Sequence, residues 1–119
     1  MKKILVAEDE ENVLKVLKLV LEGANYTVIV ARDGEEALAQ VEKEHPDMVV
    51  TDLSMPKIDG GKLCRIIKGS PKYSHIKVVV CSALNREVAK QKLFLPADDY
   101  LVKPVDVDLL LGTVKTLFA

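Results

Sequence analysis

The chain has 119 residues, of which 49% are hydrophobic and 29% charged, with a net charge of −1. That length is one domain's worth, and that balance excludes the low-hydrophobicity, high-charge composition of a disordered chain. Its uncharged apolar runs, such as Val78 to Cys81 and Leu109 to Leu111, fall far short of the roughly 20 residues of a membrane helix, so the expected location is the cytoplasm.

Ile4-Leu5-Val6-Ala7 reads as a first buried strand that stops at Glu8-Asp9, too early for a signal-peptide core despite the lysines before it. Glu11 to Leu21 has helical spacing and ends at Gly23, a candidate C-cap. Val28 to Ala31 is a second strand. Asp33-Gly34-Glu35-Glu36 opens a second helix with acids in its first turn, where the helix dipole favours them, and Pro46 closes it. Met48 to Asp52 is a third strand running into a charge, followed by a loop holding Pro56, Gly60 and Gly61 and a helix over Lys62 to Lys68. Val78 to Cys81 is the fourth strand, and Asn85 to Phe94 a helix stopped by Pro96. Tyr100 to Val102 is the fifth strand, and Asp106 is the N-cap of a last helix ending at Phe118.

Five strands alternating with five helices imply one α/β domain, a parallel sheet with helices on both faces. Functional residues in such sheets sit just beyond the carboxyl ends of the strands. The sequence places Glu8 and Asp9 after strand 1, Asp52 at the end of strand 3, Ser82 after strand 4 and Lys103 after strand 5. Cys64 and Cys81 lack paired CxxC spacing and read as buried free thiols. His45 and His75 lie in polar segments and read as surface side chains. Charge is uneven along the chain: residues 1–60 carry 7 basic and 13 acidic side chains, residues 61–119 carry 10 and 5. The basic stretch over 62–92 is either a solvated surface or a docking face for an acidic partner or phosphate. Nucleic acid is not its expected ligand, because the sequence pI is only 6.1 and no basic recognition helix is expected in it.

Three carboxylates at one rim repel one another, which calls for a compensating cation. An all-oxygen donor set with room for waters and a phosphate suits Mg²⁺. Lys103 would neutralise a bound anion and the Ser82 hydroxyl would donate to it. An aspartate beside a metal is the arrangement of aspartyl-phosphate chemistry.

Through Ile4 to Glu10, Asp52 to Gly60, Ser82-Ala83 and Asp98 to Pro104, in that order, the sequence resembles the receiver domains of bacterial two-component response regulators over essentially its whole length. The resemblance implies a doubly wound, flavodoxin-like sheet in the order 2-1-3-4-5. It implies a single receiver domain over 1–119, of the stand-alone, chemotaxis-regulator-like kind and monomeric. Asp52 would be the phosphoacceptor, with Glu8, Asp9, Asp52 and the Ser54 backbone carbonyl as Mg²⁺ ligands. Ser82 would be the switch hydroxyl, Tyr100 the switch aromatic and Lys103 the charge-neutralising lysine, followed by a cis bond to Pro104. The implied donor is a histidine kinase or phosphotransfer protein, and a surface of helix 4, strand 5 and helix 5 would signal to a downstream protein. Neither membrane nor nucleic acid is an expected partner, and the module is expected to be a phosphoacceptor and not an enzyme. Two other readings are a degenerate receiver acting as a binding scaffold and an aspartate-dependent phosphohydrolase; the second wants an acid where Ser54 stands.

Departures from the family pattern carry their own expectations. Glu8 stands where Asp is commoner and Ser82 where Thr is commoner. Leu95-Pro96-Ala97 replaces the usual Gly-Ala pair, and the span from Ser82 to Lys103 is one residue short. Pro96 fixes its own φ and removes a donor, so helix 4 should end early or be displaced. In helix 1 the apolar positions Val13, Leu14, Val16, Leu17, Leu19, Val20 and Leu21 cover a wider arc than a core-facing stripe needs. Val16 and Leu19 should therefore be partly exposed beside the acidic site, as a docking surface for a helical kinase. In receivers the residues two places after the acceptor and after the switch hydroxyl flank the path of attacking water; here they are Ser54 and Leu84. Neither orients a water well, so slow self-dephosphorylation is expected.

Overall fold

The computed structural model describes residues 1–119. The elements follow in alternation: β1(Lys3–Ala7), α1(Glu11–Gly23), β2(Thr27–Ala31), α2(Gly34–Glu44), β3(Met48–Asp52), α3(Gly60–Gly69), β4(Lys77–Ser82), α4(Arg86–Leu93), β5(Asp99–Val102) and α5(Val107–Phe118). All strands pair in parallel in the order β2-β1-β3-β4-β5, as expected. The chain begins in the middle of the sheet, steps outward to β2, then returns to β3 on the other side of β1. The order therefore reverses between β1 and β3, and a crevice opens there beyond the strand ends. No helix is long and apolar enough to cross a membrane.

Strand side chains alternate between faces, which divides the core in two. Ile4 and Val6 of β1 pack with Leu14, Leu17, Leu21, Leu110 and Val114 of α1 and α5. Leu5 and Ala7 pack on the opposite face with Ala37, Val41, Leu63, Ile67 and Ala89 of α2, α3 and α4. Cys81 belongs to the first cluster and Cys64 to the second, so the sheet separates these two free, buried thiols. Burial pushes the Cys64 thiol up to about 11 and the Cys81 thiol to about 12. His45 and His75 are exposed.

Four helices start on a side-chain cap, which satisfies one of the N–H groups that a first turn leaves unpaired. Asp33 accepts from Glu36 N at 2.8 Å, Asp59 from Lys62 N at 2.8 Å, Asn85 from Val88 N at 2.9 Å and Asp106 from Leu109 N at 2.9 Å. The cap at Asp59 corrects the reading of Gly60 and Gly61 as loop: both belong to the first turn of α3. Gly60 is there for space, since a Cβ at that position would lie 2.0 Å from the Asp52 carbonyl oxygen.

Gly23 is likewise not a C-cap. It is the last residue of α1, and the left-handed turn falls at Asn25, with φ 71°; Asn tolerates that region through local hydrogen bonding. At the other doubtful boundary, α4 is the shortest helix and stops at Leu93, one residue before the expected end. Pro96 disfavours helical geometry at Leu95, and the chain leaves the helix through Phe94 at φ 49°. A bulky residue in the left-handed region costs about 1–2 kcal/mol.

Candidate functional site

The strand ladders run one residue beyond β1, β3 and β5 and so fix the site. Glu8 N donates to Ala31 O at 3.0 Å, Leu53 N to Cys81 O at 2.8 Å and Lys103 N to Ser82 O at 2.8 Å. With Asp52 in register with Cys81, and Ser82 with Val102, the strand ends present Glu8, Asp52, Ser82 and Lys103 within two residues of one another along the same edge of the sheet. Sequence-remote residues meet there because parallel pairing aligns the carboxyl ends. Thr51 donates its hydroxyl to the Asp52 carbonyl at 3.0 Å, and Gly60 N donates to Leu53 O at 2.8 Å. Neither Thr51 nor Gly60 stood out in the sequence as a site residue, although a buried polar residue between the apolar run Met48 to Val50 and Asp52 was a signal.

Glu8 is only 2% exposed. Its Oε2 accepts from Glu10 N at 3.1 Å and its Oε1 lies 3.3 Å from the Lys103 ammonium. The longer side chain thus ties down the entry to α1, the one helix whose N-cap side chain makes no capping bond. Lys103 also reaches Asp52 Oδ2 at 3.1 Å. Burial, the largest influence, holds the Glu8 carboxyl above its ordinary value; the Glu10 N–H opposes it, the Asp52 charge adds to it and Lys103 opposes it. Burial also works against the charge on Lys103, but the hydrogen bond and charge of Asp52, with the charge of Glu8, outweigh it and raise the lysine.

One oxygen from each of Glu8, Asp9 and Asp52 lies within 4.8 Å of the others. Two of these residues are buried and Asp9 is exposed, which leaves the cluster open on one side. An all-oxygen set of this kind fits a hard divalent cation that keeps waters of its own. A single ammonium against three carboxylates leaves the rim net negative, so the donor set has the charge such an ion needs.

Ser82 is buried at the mouth, and its Oγ accepts from Leu84 N at 3.2 Å. A cavity of about 330 Å³ opens over Asp52, walled by Ser54, Ser82, Leu84 and Lys103. Leu84 therefore faces the same space as Asp52 and remains at the site despite the short β4 to β5 segment. Ser54 N approaches Asp52 Oδ1 at 3.5 Å. Tyr100 is buried and donates its hydroxyl to Leu95 O at 3.3 Å. The peptide bond between Lys103 and Pro104 is cis. In α1, Val16 is 53% and Leu19 73% exposed. Val16 borders a groove of about 580 Å³ with Glu10, Lys103 and Pro104. Leu19 does not line this groove, which corrects its placement beside the acids: it lies nearly a turn further along the helix.

Residues 4–115 match the sequence profile of the response regulator receiver domain. The chain is 41% identical over 104 residues to the alkaline phosphatase synthesis transcriptional regulatory protein PhoP of Bacillus subtilis, an alignment covering 87% of this chain and 42% of PhoP. It spans less than half the length of the curated relatives it matches. Among solved structures, response regulator TrrA of Thermotoga maritima, in complex with Mg(2+)-BeF, superposes with a TM-score of 0.87 at 33% identity, covering 98% of this chain and 99% of TrrA. Chemotaxis response regulator CheY4 of Vibrio cholerae superposes with a TM-score of 0.90 at 26% identity, covering 98% of each chain. With its β2-β1-β3-β4-β5 sheet and its acids, hydroxyl and lysine gathered at the strand ends, the chain belongs to the response regulator receiver domain family, the phosphoacceptor signalling modules of two-component systems.

Proposed function

We propose that Asp52 is the phosphoacceptor of this receiver, the donor being a histidine kinase, a phosphotransfer protein or a small acyl phosphate. The observation that carries this reading is the pairing of Asp52 Oδ2 with Lys103 at 3.1 Å inside a cavity large enough for a phosphoryl group. An Asp52 oxygen attacks phosphorus in line, forming the acyl phosphate as the bond from phosphorus to the donor's nitrogen or oxygen breaks. The Lys103 ammonium is already in place to share the charge that gathers on the transferring oxygens. The Ser82 hydroxyl, engaged with Leu84 N, rotates from that bond towards a phosphoryl oxygen. Its departure makes room on the α4 and β5 side, and Tyr100 leaves its hydrogen bond to Leu95 O to occupy it, which biases the surface read by a downstream partner.

Glu8, Asp9, Asp52 and the Ser54 backbone carbonyl would hold the divalent cation, Mg²⁺ by the chemistry of the donors. When bound, it supplies further charge neutralisation on the phosphoryl oxygens. The chain is a phosphoacceptor with slow self-dephosphorylation, because the Ser54 side chain is short and Leu84 offers an attacking water no hydrogen bond; a phosphohydrolase would want an acid at Ser54. Val16, at the groove that leads to Lys103, and Leu19, nearly a turn further along α1, form the docking edge for the donor protein.

The test is labelling by acetyl phosphate with Mg²⁺. Wild type takes up acid-labile phosphate and Asp52→Asn takes up none; equal uptake by the variant contradicts the assignment. Val16→Glu and Leu19→Glu should leave this labelling intact while slowing transfer from the cognate kinase, and unchanged transfer removes α1 as the docking edge.

A further inference from the structure

A second cleft, of about 420 Å³, lies between α3 and the end of α4. Leu53, Leu93 and Leu95 give it an apolar lining, and Arg65 and Lys92 stand at its rim. The acid there, Asp59, is committed to capping α3. The two helices flanking the cleft are strongly basic. Lys68 is paired with Asp98, and Arg86 with Asp99 and Glu87, whereas Lys62, Arg65, Lys90 and Lys92 are exposed and pair with no carboxylate. Phe94, between the lining residues Leu93 and Leu95, is 80% exposed and held in the left-handed region. Two hydrogen bonds keep the turn in that form: an Arg65 guanidinium nitrogen donates to Leu93 O at 3.1 Å, and the Tyr100 hydroxyl donates to Leu95 O at 3.3 Å. An apolar cleft rimmed by unpaired cations, with an exposed aromatic residue next to its lining in the chain, has the makeup of an interaction site.

We propose that this cleft docks an acidic segment of a partner protein, which inserts an apolar side chain among Leu53, Leu93 and Leu95 and sets its carboxylates on Arg65 and Lys92. Charge complementarity selects the occupant, because the free charges on both flanking helices are overwhelmingly positive. Leu53 and Ser54 wall both this cleft and the cavity over Asp52, so the two share a wall. The docking itself stands independently of which residue accepts phosphate.

The experiment is an NMR titration of the isotope-labelled chain with a short peptide repeating Glu-Glu-Leu, compared with Lys-Lys-Leu and Glu-Glu-Gly counterparts. The Glu-Glu-Leu peptide should give saturable shifts centred on Leu53, Arg65, Lys92 and Phe94. Lys92→Glu and Arg65→Glu should each weaken that binding about tenfold, with α1 and α5 resonances unmoved as the control for folding. The absence of saturable shifts at the cleft, equal binding of either counterpart peptide, or undiminished affinity in both variants overturns the proposal. Concentration-dependent shifts at these residues without peptide assign the cleft to a second copy of the chain and overturn it equally.

Discussion

The Lys103 ammonium bridges two carboxylates from different strand ends, 3.1 Å from Asp52 Oδ2 and 3.3 Å from Glu8 Oε1. One cation thus holds together an acid rim that would otherwise repel itself. Lys103→Met should destabilise the metal-free protein at pH 7 by about 1–2 kcal/mol, less than for a fully buried pair because the lysine reaches solvent. Urea denaturation measures it, and added Mg²⁺ should recover much of the loss. A variant as stable as wild type without metal would show that the bridge contributes nothing.

Glu8 predicts a dependence on pH. A carboxyl raised above its ordinary 4.5 in the folded state binds more protons folded than unfolded, so its ionisation weakens the fold. Its favourable contribution is complete below 4.5 and is lost as pH rises through the raised value. Glu8→Gln in metal-free buffer should therefore be more stable than wild type at pH 7, with no advantage at pH 4. Isothermal urea curves at the two pH values check this, and the same variant should bind Mg²⁺ more weakly. An advantage that is constant with pH would trace to packing and not to ionisation.

Gly60 reports on how the acceptor strand is held. A Cβ there would lie 2.0 Å from Asp52 O and 2.9 Å from the Leu53 Cα, and backbone cannot yield as a flexible side chain can. Gly60→Ala should cost more than about 2 kcal/mol and slow phosphorylation by acetyl phosphate. Thermal melting and labelling kinetics test both effects, and a neutral outcome in both would mean that the β3 to α3 turn shifts freely.

Leu84 faces the cavity over Asp52 and offers an attacking water no hydrogen bond. Leu84→Asn should speed Mg²⁺-dependent loss of the acyl phosphate about tenfold or more, within the range a positioned polar group supplies. Release of inorganic phosphate from the purified phosphoprotein measures it. An unchanged rate would remove Leu84 from the water path.

The fold and the meeting of the charged strand ends were legible because both rest on local signals. Apolar runs ending in a charge mark parallel strands that emerge at one edge, and Glu8, Asp52 and Lys103 are those charges. Gly60 and Gly61 were misread because glycine is a poor helix former, while the reason for Gly60 is contact with a different element, the end of β3. Gly23 was misread for the converse reason: propensity pointed to it, yet the chain turned at Asn25. The exposure of Val16 and Leu19 followed from helical periodicity, but not the groove, which needs the segment after β5. Nor could the sequence show Arg65 and Lys92 flanking one cleft, since they come from different helices brought together by the sheet.

Borohydride reduction of the acyl phosphate, followed by peptide mass mapping, tests the central claim most directly, because it converts a phosphorylated aspartate to homoserine at the position that carried the phosphate. After treatment with acetyl phosphate and Mg²⁺, homoserine should appear at position 52 alone, and chelation of the metal should abolish it. Homoserine at another aspartate, or full labelling that persists under chelation, would contradict the assignment of Asp52 and its acid rim.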